Sequence, residues 1–133
     1  MLKYKDLIGI PFVDGGRDSR GYDCWGLVME LFRRQGKKVQ DYHIAAVDVD
    51  TIAKTAFADE SKWIRYDEPK AGRLVLLKLS PGCWANHVGM CLGDGKFIHA
   101  YLLTGVCIDR LSKWRSRVVG YYEPREDAYD TNP

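Results

Sequence analysis

The sequence predicts an α+β domain in which N-terminal helices pack on a central antiparallel β-sheet. Two observations carry this prediction. Helical signals are confined to residues 1–60, whereas short β-branched and aromatic runs separated by turn residues fill residues 72–122. The chain has 133 residues, of which 46% are hydrophobic and 29% are charged. Because this composition is typical of one soluble globular domain, we expect a single domain over residues 1–122.

The clearest predicted helix begins near Cys24. Its apolar side chains recur at spacings of three and four residues and so share one helical face: Cys24, Leu27, Val28, Leu31 and Phe32. Asp23 comes directly before this face and is the expected N-cap, and Gly36 can end the helix. A weaker helix is expected over residues 50–58, with Ile52 and Ala56 facing inward.

Five strands are expected in the second half of the chain, over residues 73–79, 86–92, 96–102, 105–109 and 117–122. Turn residues separate them, among them Gly93, Asp94 and Gly95. Successive strands joined by short turns indicate an antiparallel meander. Residues 123–133 hold four acidic side chains and one basic one with little to bury, and we expect an acidic tail that is mobile unless a partner binds it.

Charge and hydropathy exclude several classes of function. The formal net charge is only +2, without the clustered basic stripe that is typical of a nucleic-acid surface. No apolar run approaches the roughly 20 residues of a membrane span. Lys3, Lys5 and Asp6 interrupt the first apolar stretch, which argues against a secretory signal. We therefore expect synthesis in a reducing bacterial cytoplasm, where the four cysteines are thiols.

Two of the three histidines flank the turn at Asp94. A three-residue loop centred there pairs Met90 with Ile98 and gathers the apolar side chains on one face of the hairpin. His87 and His99 then share the opposite face, as diagonal neighbours about 7 to 8 Å apart at the backbone. A two-residue loop would separate the histidines and scatter the apolar set, so both patterns favour the same register. The predicted faces contain Val88, Met90, Leu92, Ile98, Ala100 and Leu102 on one side, and His87, Gly89, Cys91, Phe97, His99 and Tyr101 on the other.

Cys24 is the candidate nucleophile for this histidine pair. A thiol in the first turn of a helix lies near the positive end of the helix dipole, and such sites can lower a cysteine pKa from about 8.5 to ~3.5–7.5. If the helix packs on the sheet, His87 can accept the thiol proton while His99 orients the His87 ring. The backbone N–H of Cys24 is then a candidate oxyanion donor.

Two segments resemble the motifs of the NlpC/P60 cysteine peptidases. Gly21-Tyr-Asp-Cys-Trp-Gly-Leu-Val28 resembles their nucleophile motif, and residues 86–100 are similar to the strand, hairpin and third catalytic position that follow it. The resemblance implies a papain-like fold with Cys24, His87 and His99 as the catalytic residues, and no cofactor. It also implies hydrolysis of peptidoglycan stem or cross-bridge peptides, typically between D-glutamate and a diamino acid.

Three positions near the nucleophile are implied to contact substrate. Phe12 stands where many members carry a tyrosine whose hydroxyl assists the oxyanion, and phenylalanine cannot donate a hydrogen bond. Asp23 matches an acid that receives the free amine of stem peptides. Trp25 replaces the serine that accompanies this acid, so a bulky indole is expected to narrow the substrate groove.

The compact sequence, with Ile8-Gly9-Ile10-Pro11 near its start, looks most like peptidases of phage tail tips. This resemblance implies tail-tip proteins as partners and a location in the virion tail, with the bacterial cytoplasm as the other possibility. The sequence is also compatible with two other functions. One is a structural tail-tip protein with little or no catalysis, favoured by Phe12 and Trp25, and the other is a cytosolic thiol amidase or thioesterase.

The other candidate residues have simpler interpretations. Cys83, His87 and Cys91 are four residues apart, which is a zinc-ligand spacing on a helix, but the alternating pattern there indicates a strand. No metal site is therefore expected. Arg17 and His43 are expected to be solvated.

Overall fold

The computed structural model describes residues 2–42, 54, 57–79 and 85–125. Within these residues the chain forms one α-helix and eight β-strands, preceded by a short 3₁₀ helix at Lys5–Leu7. In chain order the elements are β1 Arg17–Asp18, β2 Gly21–Tyr22, α1 Cys24–Arg34, β3 Trp63–Tyr66, β4 Leu74–Leu77, β5 His87–Gly93, β6 Lys96–Tyr101, β7 Gly105–Arg110 and β8 Val118–Pro124. This is the α+β architecture that the sequence predicts.

Six of the strands form one antiparallel sheet in the order β3-β8-β4-β5-β6-β7, and β1 pairs with β2. The predicted meander, in which each strand pairs with the next one along the chain, is confirmed from β4 to β7 but is wrong for β8. A 3₁₀ helix at Leu111–Arg117 carries the chain away from β7, so that β8 lies between β3 and β4. The sequence also did not predict β3, an edge strand of four residues.

Helix α1 confirms the helix that was predicted to begin near Cys24. The Asp23 side chain caps it by accepting a hydrogen bond from the Gly26 N–H. Its apolar face packs against β5 and β6. The helix ends before Gly36, whose φ of +80° is a conformation that glycine adopts without strain. The predicted helix over 50–58 lies almost entirely outside the described residues.

Apart from Leu102, the residues predicted for the two faces of the β5–β6 hairpin lie on those faces. Met90 pairs with Ile98, and the apolar face forms a core with α1. The predicted pairing of Leu92 with Lys96 is wrong, because a bulge places Gly93 opposite Lys96. Leu102 is also not on the apolar face, since β6 ends at Tyr101 and the Leu102 side chain is 72% exposed in the following turn.

The sheet extends into the segment that was predicted to be a tail. Glu123 and Pro124 belong to β8, and Glu123 accepts a hydrogen bond from Arg73 at 2.6 Å. The strand continues there because β3 offers a pairing edge. Residues 126–133 lie outside the described part of the chain. No helix in the described part is long and apolar enough to cross a membrane.

Candidate active site

Two buried imidazoles form the centre of the candidate site. His87 is the first residue of β5 and His99 lies in β6, on the face of the sheet opposite α1. Their side chains are joined by a hydrogen bond of 2.8 Å between His87 Nε2 and His99 Nδ1. The hairpin register predicted from the sequence places both histidines on one face, and the paired strands hold the two rings in place.

A carboxylate that the sequence analysis missed extends this pair. Asp109 on β7 lies 2.9 Å from His99, measured between Oδ2 and Nε2. Although partial burial opposes it, the hydrogen bond to His99 and the positive charge of Lys113 lower the pKa of Asp109 below its usual value. The carboxylate is therefore ionised and can only accept hydrogen bonds.

The hydrogen bonds determine where each imidazole carries its proton. Since the Asp109 carboxylate accepts, His99 carries its proton on Nε2 and has an acceptor at Nδ1. His87 must then donate to His99 from Nε2–H. This leaves a free lone pair on His87 Nδ1, so that atom is the unprotonated end of a three-residue relay.

Both imidazoles are neutral near pH 7. Burial, with a smaller contribution from His99, lowers the pKa of His87 to about 3. Burial also lowers the pKa of His99, although the hydrogen bond and charge of Asp109 act in the opposite direction. A neutral His87 is the protonation state that a general base requires.

Aromatic rings enclose the relay. Trp114, from the 3₁₀ helix between β7 and β8, stacks on His87 with ring centroids 6.3 Å apart and meets His99 edge-on at 5.4 Å. Tyr101 contacts both imidazoles. These rings limit the access of water to the hydrogen bonds of the relay and restrict the orientation of the histidines.

Cys24 lies at the N-terminus of α1 and reaches the start of β5. The backbone N–H groups of Val88 and Trp25 lie close enough to the thiol to lower its pKa. The Val88 N–H belongs to the peptide that links it to His87, so the sulfur lies beside the first residue of the relay. In the described part of the chain, no hydrogen bond joins the Cys24 thiol to the His87 ring.

The predicted lowering of the Cys24 pKa is wrong. The thiol is only 1% exposed, and burial raises its pKa to about 12 despite the two backbone N–H groups. The desolvation of a buried thiolate therefore outweighs the helix N-terminus. Cys24 and His87 are a neutral thiol and a neutral imidazole, so the thiol proton has to move during the reaction.

Asp23, which is predicted to contact substrate, has its hydrogen-bond partners within the protein. Its carboxylate is fully buried and accepts hydrogen bonds from Gly26 N–H at 2.8 Å, Arg17 Nη1 at 2.7 Å and Gly15 N–H at 3.0 Å. Arg17 also pairs with Asp41 at 3.0 Å, so the prediction that it is simply solvated is wrong. The Arg17–Asp23 pair anchors the loop before α1 to the first turn of the helix.

Trp25 is a core residue. It is 1% exposed, donates from Nε1 to the Gln40 carbonyl at 3.2 Å, and packs against Phe57 and Trp63. Contact of this residue with substrate stays a prediction that rests on the family resemblance. Phe12 is half-buried and forms an isolated β-bridge with Tyr22, two residues before Cys24.

Gly26, in the first turn of α1, occupies a position where a side chain would not fit. A Cβ atom at this residue would overlap the carbonyl oxygen of Gly16 and contact the Arg17 side chain. The absence of a side chain lets the loop before α1 lie directly on the first turn of the helix. Gly26 therefore helps to fix the position of Cys24.

Comparison with known proteins identifies the family. The sequence profile of the NlpC/P60 family matches residues 9–123. The chain belongs to the NlpC/P60 family. In the solved structure of the NlpC/p60 domain of peptidoglycan hydrolase SagA, which is 26% identical, 90% of this chain and 89% of that one superpose with a TM-score of 0.59.

Curated relatives of this NlpC/P60 chain are longer proteins. It is 28% identical over 120 residues to the murein DD-endopeptidase MepS/murein LD-carboxypeptidase of Escherichia coli (strain K12), covering 88% of this chain and 57% of the relative. It is 30% identical over 95 residues to the gamma-D-glutamyl-L-lysine dipeptidyl-peptidase of Bacillus subtilis (strain 168), covering 71% of this chain and 28% of that protein.

The raised pKa of Cys24 in this NlpC/P60 domain predicts slow alkylation at neutral pH. Because the thiol pKa is about 12, the thiolate fraction should rise about tenfold for each pH unit between 7 and 9. We expect the rate of Cys24 modification by iodoacetamide, measured by peptide mass mapping, to rise in parallel. A rate that is already constant above pH 7 would contradict the neutral resting pair.

Proposed function

We propose that this NlpC/P60 domain is a cysteine endopeptidase that hydrolyses peptide bonds in peptidoglycan. The observation that carries the proposal is the relay of His87, His99 and Asp109, with the Cys24 thiol beside the backbone N–H of Val88, the residue after His87. The names of the relatives support the substrate class, since murein and peptidoglycan appear in two of them.

In the proposed reaction His87 Nδ1 takes the Cys24 proton as the sulfur attacks the carbonyl carbon of the scissile bond. The resulting oxyanion accepts a hydrogen bond from the backbone N–H of Cys24. His87 then returns the proton to the departing amine nitrogen, the C–N bond breaks, and a thioester remains on Cys24. Water, deprotonated by His87, hydrolyses the thioester and restores the thiol. His99 and Asp109 hold the His87 ring in the basic tautomer throughout.

The finer part of the proposal is the scissile bond, between D-glutamate and a diamino acid. It is supported by the names of two Bacillus subtilis relatives, the gamma-D-glutamyl-L-lysine dipeptidyl-peptidase and a gamma-DL-glutamyl hydrolase that is 29% identical over 116 residues. Because Asp23 is buried and bonded to Arg17, we expect cleavage within longer stems rather than recognition of a free terminal amine.

Digestion of purified sacculi tests this function. The chain and its Cys24→Ala variant are incubated with sacculi, and the released muropeptides are identified by mass spectrometry. We expect new fragments only with the intact thiol, cut after D-glutamate. Equal product profiles for the two proteins would refute the proposed activity, and a cut at another bond would refute the finer specificity.

Delivery on a phage or prophage tail tip is a further part of the proposal. Its support is the resemblance of Ile8-Gly9-Ile10-Pro11 to tail-tip peptidases. We expect peptides of this chain in the proteome of purified phage particles from a strain that carries its gene. Their absence from such particles, with the chain present in the cytoplasm of the same cells, would contradict this location.

One of the two residues that favoured a structural tail-tip protein no longer does so. An exposed Trp25 would have obstructed the substrate groove, but its side chain lies in the core. Phe12 remains compatible with it.

A further inference from the structure

Three side chains that are able to bind a metal ion lie close together at the Asp109 end of the histidine relay. His99 and Cys107 face each other in the β6–β7 register, and Asp109 lies two residues along β7 on the same face. Their ligand atoms, the imidazole nitrogen, the sulfur and a carboxylate oxygen, all lie within 4.8 Å of one another. Because paired strands fix all three residues, the cluster is preformed.

The distances suit a tetrahedral ion. His99 Nε2 is 3.6 Å from Cys107 Sγ and 2.9 Å from Asp109 Oδ2. Zinc bonds of about 2.0 Å to nitrogen or oxygen and about 2.3 Å to sulfur place such ligand atoms roughly 3.3 to 3.5 Å apart. The first distance is close to this range, and the second requires a widening of about 0.4 Å, which a rotation of the Asp109 side chain supplies.

The cluster is accessible to solvent on the β7 side, and neighbouring side chains contact two of its three residues. His99 is buried, whereas the Asp109 side chain is 22% exposed and Cys107 is half-buried, so an ion can enter from the β7 side. Thr104 Oγ1 lies 3.2 Å from Cys107 Sγ, and Lys113 Nζ lies 3.5 Å from the second oxygen of Asp109. Such outer contacts orient ligands and stabilise a thiolate.

We propose that His99, Cys107 and Asp109 form an inhibitory site for a thiophilic divalent cation such as Zn²⁺, with water as a fourth ligand. Binding to His99 Nε2 forces the proton of that ring onto Nδ1, which must then donate to His87 Nε2. His87 in turn carries its proton on Nδ1 and has no lone pair for the Cys24 thiol. The cation therefore inverts both tautomers and switches the relay off.

Cys107 releases its thiol proton to solvent when its sulfur binds the cation. His99 loses the proton on Nε2 and gains one on Nδ1 from His87 Nε2, while His87 Nδ1 takes up one from solvent. The two rings thus stay neutral, and one proton is released for each ion bound. This proposal departs from the sequence-based expectation that the chain has no metal site.

Binding is tested without reference to activity, in the full chain carrying Cys24→Ser so that the candidate nucleophile cannot bind the probe. Cd²⁺ is added, and the ultraviolet thiolate-to-cadmium band is followed. We expect one ion per chain, with a band that disappears in the additional variant Cys107→Ser and persists in the matched variant Cys91→Ala. A band that survives Cys107→Ser, or no saturable band at all, would overturn the site.

The switch rests on the proposed function and has its own measurement. Zn²⁺ is titrated into sacculi digestions by the wild-type chain and by Cys107→Ser, each compared with its own rate in the presence of a chelator. We expect the zinc concentration for half-inhibition to be at least about tenfold higher in Cys107→Ser. Equal inhibition of both would overturn the switch even if Cd²⁺ binds, and absence of cleavage in both would refute the function while leaving the binding result intact.

Discussion

Replacement of His87 by alanine is expected to lower kcat/KM for peptidoglycan cleavage by about a thousandfold. Loss of a positioned general base typically costs about 10²- to 10⁴-fold. The loss should lie near the middle of this range, because the Cys24 pKa of about 12 leaves almost no thiolate to react without the base. The measurement is the initial rate of muropeptide release at pH 7 across a series of substrate concentrations.

Two comparisons separate this effect from damage to the fold. His87→Ala should retain the far-ultraviolet circular dichroism of the wild-type chain, and added imidazole should restore part of its activity by occupying the space of the missing ring. The same imidazole should not restore Cys24→Ala. A His87→Ala protein that is folded and retains more than about a tenth of the wild-type kcat/KM would contradict the assignment.

Asp109→Asn is expected to be more harmful than Asp109→Ala. The amide of asparagine can donate a hydrogen bond to His99 Nε2, and His99 would then carry its proton on Nδ1. This reverses the donor in the 2.8 Å bond to His87 and removes the lone pair from His87 Nδ1. A comparable loss of tautomer control in serine proteases costs about 10⁴-fold in kcat, and we expect a loss of about 10²- to 10⁴-fold here, against a smaller loss for alanine.

The readout for Asp109 is spectroscopic as well as kinetic, since this residue positions others and does not touch the substrate. Nitrogen-15 shifts of the imidazoles at pH 7 should report a protonated Nε2 on both His87 and His99 in the wild-type chain. In Asp109→Asn both should report a protonated Nδ1. Equal kcat/KM for the asparagine and alanine variants, with unchanged nitrogen shifts, would contradict the relay.

Local patterns predicted the parts of the site that depend on one helix and one hairpin. The spacing of apolar residues after Asp23 was sufficient to place Cys24 at the start of α1, and the turn at Asp94 was sufficient to place His87 and His99 on one face. Both inferences rest on short sequence separations and on faces that must be buried.

The parts that the sequence did not reveal depend on longer-range packing. Asp109 joins the relay only because β7 pairs with β6 in a register set by the turn before Gly105, although the alternation of Cys107 and Asp109 was a usable signal. Trp25 follows Cys24 in sequence, but its indole points into an aromatic core formed with Phe57 and Trp63. No motif indicates such a direction.

The pKa of Cys24 illustrates a second reason why the sequence did not predict the whole site. A helix N-terminus is visible in the sequence and predicts a more acidic thiol. The degree of burial is not visible, and in this fold burial is the larger of the two effects on the pKa. Arg17 shows the same limit, because its partners Asp23 and Asp41 come together only through the loop that packs on α1.

The measurement that tests the central claim most directly is the intact mass of the protein during turnover. The chain is mixed with soluble muropeptides containing the proposed bond, quenched in acid after short intervals and weighed by mass spectrometry. We predict a transient adduct with the mass of the acyl fragment, located at Cys24 by peptide mapping and absent from Cys24→Ala. Cleavage without any adduct at Cys24, or with an adduct at another cysteine, would contradict the account.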